Sequence, residues 1–70
     1  MSIGSNIRKK RENLKISQTK LAEAVGISQS LMAQFERGSK IPNMMLGKEI
    51  ANVLQCEMED LVSDKEAVGV

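Results

Sequence analysis

No histidine, tryptophan or tyrosine occurs among these 70 residues, and Phe35, Cys56 and Pro42 are each alone of their kind. Without histidine the usual nucleophile and base pairs cannot be assembled, and Glu12, Glu23 and Glu36 lie among basic residues as solvated helix charges do. One cysteine forms no disulfide within the chain, and no cluster has metal-ligand spacing, so neither an enzyme nor a metal or other cofactor is expected. Cys56 follows the apolar Val53 and Leu54 and reads as a small core residue rather than a reactive thiol. No apolar run approaches the roughly 18 residues a membrane helix needs. The N-terminal stretch MSIGSNIRKKRENLK has no apolar block behind its basic residues, so it does not read as a signal peptide, and the expected compartment is the cytoplasm. With a single aromatic ring the chain can bury only a modest core, roughly 60% of the surface its unfolded form exposes. One domain over residues 1–70 is therefore expected.

What is present begins with an uneven charge. From Met1 to Lys40 eight basic residues (Arg8, Lys9, Lys10, Arg11, Lys15, Lys20, Arg37, Lys40) face three acidic ones, a balance of +5. From Ile41 onward Lys48 and Lys65 face six acids, a balance of −4. The first half suits a phosphate-bearing partner and the second would be repelled by it, although a solvated surface sorted by chance gives the same totals.

There is no repeat, no low-complexity block and no alternating strand pattern, so the chain reads as all-α with five segments. The first runs from about Ser5 to Leu14, with Ser5 or Asn6 as cap and Ile7 and Leu14 on one face. The second starts at the N-cap Ser17 and carries Leu21, Ala22 and Val25 until Gly26 stops it. The third is capped by Ser28, runs to Arg37 and is stopped by Gly38. Pro42 and Asn43 open a fourth with Met44, Leu46, Ile50, Val53 and Leu54. A short fifth covers about Glu57 to Val62, and SDKEAVGV is expected to be a frayed tail.

Only Gly26 and Ile27 separate Val25 from the next cap, Ser28. A helix that ends and turns sharply into another needs a left-handed residue just past its end, which glycine adopts without the Cβ penalty. Ile27 would plug the space between the two helices, and the connection has helix-turn-helix length.

On a wheel of about 100° per residue, Leu31, Met32 and Phe35 fall on one side of the third segment, while Gln29, Ser30, Ala33, Gln34 and Arg37 fall on the other. Alone, such a face would be an ordinary wet surface. Its residue types also suit a major groove: glutamine holds adenine bidentately at N6 and N7, serine meets several bases, and an alanine methyl lies on a thymine methyl.

The stretch "IRKKRENLKISQTKLAEAVGISQSLMAQFERGSKIPN", followed by "IANVLQCEMEDLV", resembles the Cro and phage-repressor type of helix-turn-helix domain, with "SQTKLA", "VGISQS" and "ERGSKIP" carrying the likeness. The resemblance spans Ile7 to Val62. It implies a compact five-helix, lambda-repressor-like fold whose third helix lies in the major groove of double-stranded DNA. Carried over by position, it implies base contacts from Gln29, Ser30, Ala33 and Gln34. Gln18 matches a glutamine that bonds a phosphate and steadies the first recognition glutamine, and Arg11 and Glu36 match an ion pair tying the first helix to the third. Arg37, the Gly38 amide, Ser39 and Lys40 fall in a loop that grips the DNA backbone. Arg8, Lys9 and Lys10 read equally as further phosphate contacts or as plain solubility.

Three positions depart from the family pattern. Leu31 stands where a small or polar residue is usual, and reads as a groove contact to thymine or as extra core. Gly47 interrupts the fourth helix at about 1 kcal/mol against alanine, which would allow close approach of a neighbouring helix. Glu57 replaces the usual cap of the fifth helix with a charge that still suits a helix N-terminus.

The resemblance also implies a homodimer on a palindromic operator, with half-sites about one helical turn apart. Met44, Met45, Met58, Leu61 and Val62 are the apolar residues from which one or two interface contacts would come. The function expected is that of a sequence-specific transcriptional regulator, a repressor or controller protein. The alternative is an antitoxin or adaptor whose helices chiefly bind another protein, a reading that leaves the polar face of Gln29, Ser30 and Gln34 unexplained.

Overall fold

The computed structural model describes residues 3–62, which form five helices and no strand: α1 (Ile3–Asn13), α2 (Gln18–Val25), α3 (Gln29–Arg37), α4 (Met44–Val53) and α5 (Met58–Val62). The tail expected after Val62 lies outside the described residues. Three helices begin as their sequences prescribe. Ser17 and Ser28 are extended, and their hydroxyls accept from the Lys20 and Leu31 amides at 3.0 and 3.1 Å; Asn43 Oδ1 accepts from the Leu46 amide at 2.8 Å. For α5 the cap is supplied from inside the helix: the Glu57 amide donates to Asp60 Oδ2 at 3.1 Å, one half of a capping box.

The first four helices all end the same way, with a left-handed residue at Lys15, Gly26, Gly38 and Gln55. In each case this residue's amide and the next one turn back onto carbonyls of the last helical turn, as in the bonds Gly26 to Glu23 (3.2 Å) and Ile27 to Ala22 (3.0 Å). The residues that follow, Ile16, Ile27 and Cys56, pack against the core after three of these turns. Glycine makes this conformation cheap at Gly26 and Gly38, whereas Lys15 and Gln55 adopt it at a cost of about 1–2 kcal/mol each.

Every helix gives the core one completely buried side chain: Ile7, Leu21, Met32, Ile50 and Leu61. Each such burial contributes about 1.5–3 kcal/mol. Ala22, Phe35, Ala51 and Leu54 complete the cluster, with Leu31, Ile27 and Leu46 packed around it.

The N-terminal part departs from expectation. Helix α1 already includes Ile3, so neither Ser5 nor Asn6 caps it; Asn6 is a buried interior residue whose Nδ2 donates to the Leu61 carbonyl at 2.7 Å and fastens α1 to α5. Leu14 lies past the end of α1 and is 38% exposed, so it does not share the core face of Ile7. Gly4 is buried where α1 crosses the end of α3, and a Cβ there would collide with the Phe35 carbonyl oxygen and lie 2.9 Å from that of Glu36. In α4, Gly47 has the role of a seat: an added Cβ would meet Met58 Cε at 2.5 Å, so the absent side chain leaves room for the tip of Met58, while the closeness of the α5 backbone does not depend on it. Charge is divided by element. Helices α1 to α3 and the turns beside them hold the basic excess, while α4, α5 and the residue before α5 carry Glu49, Glu57, Glu59 and Asp60 against Lys48.

Candidate nucleic-acid interface

Two serine caps and one glycine turn set α2 and α3 against each other, and Leu21, Met32 and Phe35 close the space between them. Gly26 has φ 79° and nothing within 4 Å of where a Cβ would stand, so conformation rather than space demands glycine there. The opposite side of α3 faces outward. Gln29, Ser30 and Arg37 are exposed, and Ala33 and Gln34 are half-buried. Leu31 is half-buried against the core, which assigns it to packing.

A chain of polar contacts runs from inside the molecule to this face. Arg11 grips Glu36 with two parallel bonds, Nε to Oε2 at 2.8 Å and Nη2 to Oε1 at 3.1 Å, and its Nη1 donates to the Ile16 carbonyl at 3.0 Å. The two side chains are only 12% and 5% exposed, a geometry in which a bidentate pair is strong. The bond to Glu36 holds the Arg11 guanidinium above its ordinary pKa, outweighing the opposing effect of burial, so it is charged at any physiological pH. Gln18 Nε2 then donates to Glu36 Oε1 at 3.2 Å, and Gln29 Nε2 donates to Gln18 Oε1 at 3.3 Å. Three residues on three helices, Arg11, Gln18 and Glu36, thus hold the first side chain of the α3 face.

Beside this chain lies a cleft lined by Arg8, Arg11, Gln18, Ala33, Glu36 and Arg37. Glu36 is neutralised by Arg11, so the free charge around the cleft is cationic. Arg8 pairs with Glu12 at 3.1 Å on the exposed side of α1, a contact worth only about 0.3–0.5 kcal/mol and easily exchanged for a stronger anion. Lys9 is exposed on α1. Lys10 is half-buried, and at about 100° per residue it lies roughly 200° around α1 from Arg8, away from that side chain.

The loop after α3 needs one correction. The Gly38 amide is not available to a backbone phosphate: it donates to Phe35 O at 3.1 Å, while the Ser39 and Lys40 amides both turn to Gln34 O at 2.9 and 3.3 Å. What the loop offers outward is the side chains of Arg37, Ser39 and Lys40, all exposed. Among the residues expected at an interface between copies, Met44, Met45 and Val62 are 70%, 74% and 54% exposed. Leu61 is excluded, since it is completely buried as the α5 contribution to the core, and Met58 is half-buried over Gly47. Sequence reasoning passed over Gly4 and Ile41; the second is 74% exposed just ahead of α4.

A sequence model of the helix-turn-helix family matches residues 7–61. The chain belongs to the Cro and phage-repressor type of helix-turn-helix regulators. Among curated relatives, this helix-turn-helix chain is 41% identical over 56 residues to the transcriptional regulator DicA of Escherichia coli, covering 80% of the chain and 42% of DicA. The chain therefore spans less than half the length of that relative. It is 30% identical over 57 residues to the uncharacterized regulator YgzD of Bacillus subtilis, covering 81% of the chain and 86% of YgzD. Among solved structures, the P22 c2 repressor protein in complex with a synthetic operator superposes with a TM-score of 0.85 at 33% identity, over 90% of this chain and 96% of that one. No helix among the described residues is long and apolar enough to cross a membrane.

Proposed function

We propose that this helix-turn-helix regulator acts as a repressor or controller protein that binds a palindromic operator as a homodimer in the cytoplasm, without catalysis of its own. In this reading α3 enters the major groove and Gln29, Ser30, Ala33 and Gln34 meet base edges. Gln18, Arg8, Arg37, Ser39 and Lys40 meet phosphates on either side and set the register without reading sequence. The observation that carries the reading is the relay from Arg11 through Glu36 and Gln18 to Gln29. A solvated surface glutamine has no use for a part-buried support reaching back to α1. A base-reading glutamine does, because ordering it beforehand removes about 0.5–1.5 kcal/mol of side-chain entropy cost on binding. The likeness to the P22 c2 repressor, solved with an operator, supports the same orientation.

Selection of bound DNA from a random pool tests the operator directly: a two-fold symmetric consensus is expected, and an asymmetric or absent one refutes the palindrome. Fluorescence anisotropy on the selected sequence then tests the residues. Gln29→Ala and Gln34→Ala are expected to lose about 1–3 kcal/mol of discrimination per base contact with the nonspecific salt slope unchanged. Variants that discriminate as the parent does would refute the groove assignment.

A further inference from the structure

Away from the cleft of Arg8, Gln18 and Arg37, the most apolar uncovered surface is on α4. Met44 and Met45 are 70% and 74% exposed at its start, with Ile41 just before them. At about 100° per residue, Met45, Lys48, Glu49 and Asn52 share one face of this helix, and all four are exposed. The far end of that face borders a shallow cleft between α4 and α2, lined by Ala24, Val25, Glu49, Asn52 and Val53. Lys48 and Glu49 form no ion pair among the described residues. One helix face therefore presents an apolar knob at one end, a partly apolar cleft at the other, and two unspent opposite charges between them.

We propose that this face docks a second copy of the chain, with α4 antiparallel to α4 across a two-fold axis. The register that sets Lys48 of one copy opposite Glu49 of the other also sets Met45 opposite Asn52, at the mouth of the cleft, and the symmetry repeats each contact. Met45 and Asn52 are roughly 10 Å apart along α4, so both knobs seat within one short stretch. Methionine, unbranched and flexible, fills an irregular cleft well. A partner of uniform charge would meet either Lys48 or Glu49 with its own sign. A second copy turned end for end meets both with the opposite sign. The proposal deepens the homodimer reading, on which its role at an operator rests, and uses none of the residues assigned to DNA.

Sedimentation equilibrium of the full chain without DNA tests it. The parent is expected to self-associate, and Lys48→Glu alone or Glu49→Lys alone to weaken association about tenfold or more, because like charges then meet twice. An equimolar mixture of the two variants is expected to associate as the parent does, since every contact in the mixed pair joins opposite charges again. A parent that stays monomeric, single variants that associate as the parent does, or a mixture no better than its components would overturn the α4 contact. Circular dichroism establishes that these surface variants are folded. Anisotropy on half-site DNA separates the two failures: a monomer that binds DNA sinks only this contact, and an α4 dimer that binds none sinks only the DNA reading.

Discussion

Gly4 shows how one missing side chain can hold two helices together. It lets the start of α1 lie on the carbonyls of Phe35 and Glu36, the turn of α3 that also carries the anchor of the Gln18 and Gln29 relay. Alanine is the better helix former by about 1 kcal/mol, yet here its methyl would strike backbone that cannot step aside. Gly4→Ala is expected to lower stability by about 2 kcal/mol, the steric cost exceeding the propensity gain; a urea midpoint equal to or above the parent's would show that α1 moves freely. Cys56 is a second residue whose role is set by place. Burial pushes its thiol up from the ordinary value, with Asp60 and Glu57 adding to the effect and Lys10 opposing it. The unfolded chain releases this proton first, so the contribution to stability is complete below the ordinary thiol pKa of about 8.5 and is lost as pH rises toward the folded value. Alkylation of Cys56 is accordingly expected to be slower in the native than in the urea-unfolded chain at pH 8, and equal rates would place the thiol in open solvent.

At the scale of the helices, α5 has the least holding it among the described residues: Leu61 in the core, Met58 over Gly47, and the bond from Asn6. Removing that donor leaves the Leu61 carbonyl without this partner, at about 1–3 kcal/mol. Asn6→Ala is expected to speed amide exchange in α5 more than in α2 or α3, and uniform acceleration would mean that α5 has no opening of its own. The contrast with the caps explains what the sequence makes legible. Ser17, Ser28, Asn43, Gly26 and Gly38 act on amides and carbonyls within a few residues, so a reader of the chain can place three helix starts and two ends from them. Asn6 has the same chemistry, a short polar side chain near a helix start, but its partner is 55 residues away, and nothing local separates that role from a cap. Leu14 misleads for a related reason. Its spacing from Ile7 fits a helix, but the left-handed turn at Lys15 carries no glycine to announce it. On the interface side, the outward position of Gln29 follows from periodicity alone. The engagement of the Gly38, Ser39 and Lys40 amides follows from how the loop closes, which composition does not report.

At the scale of the whole molecule, the proposed function gives the two halves of the charge distribution different duties. If DNA is met only by the basic elements, Arg37→Gln and Lys40→Gln should each flatten the dependence of log affinity on log salt by about one. Glu57→Gln and Glu59→Gln should leave that slope where it is. Equal effects from both pairs, measured by anisotropy across a salt series, would mean that the protein presents no preferred side. The charges sum to only +1, and beyond a Debye length, about 10 Å in 0.1 M salt, such a body is hardly pulled toward a polyanion at all. What acts on it near the surface is a torque. On the proposed reading it turns, like a compass needle, with Arg8, Arg37 and Lys40 inward before it is drawn in, so encounters are selected by orientation more than multiplied in number.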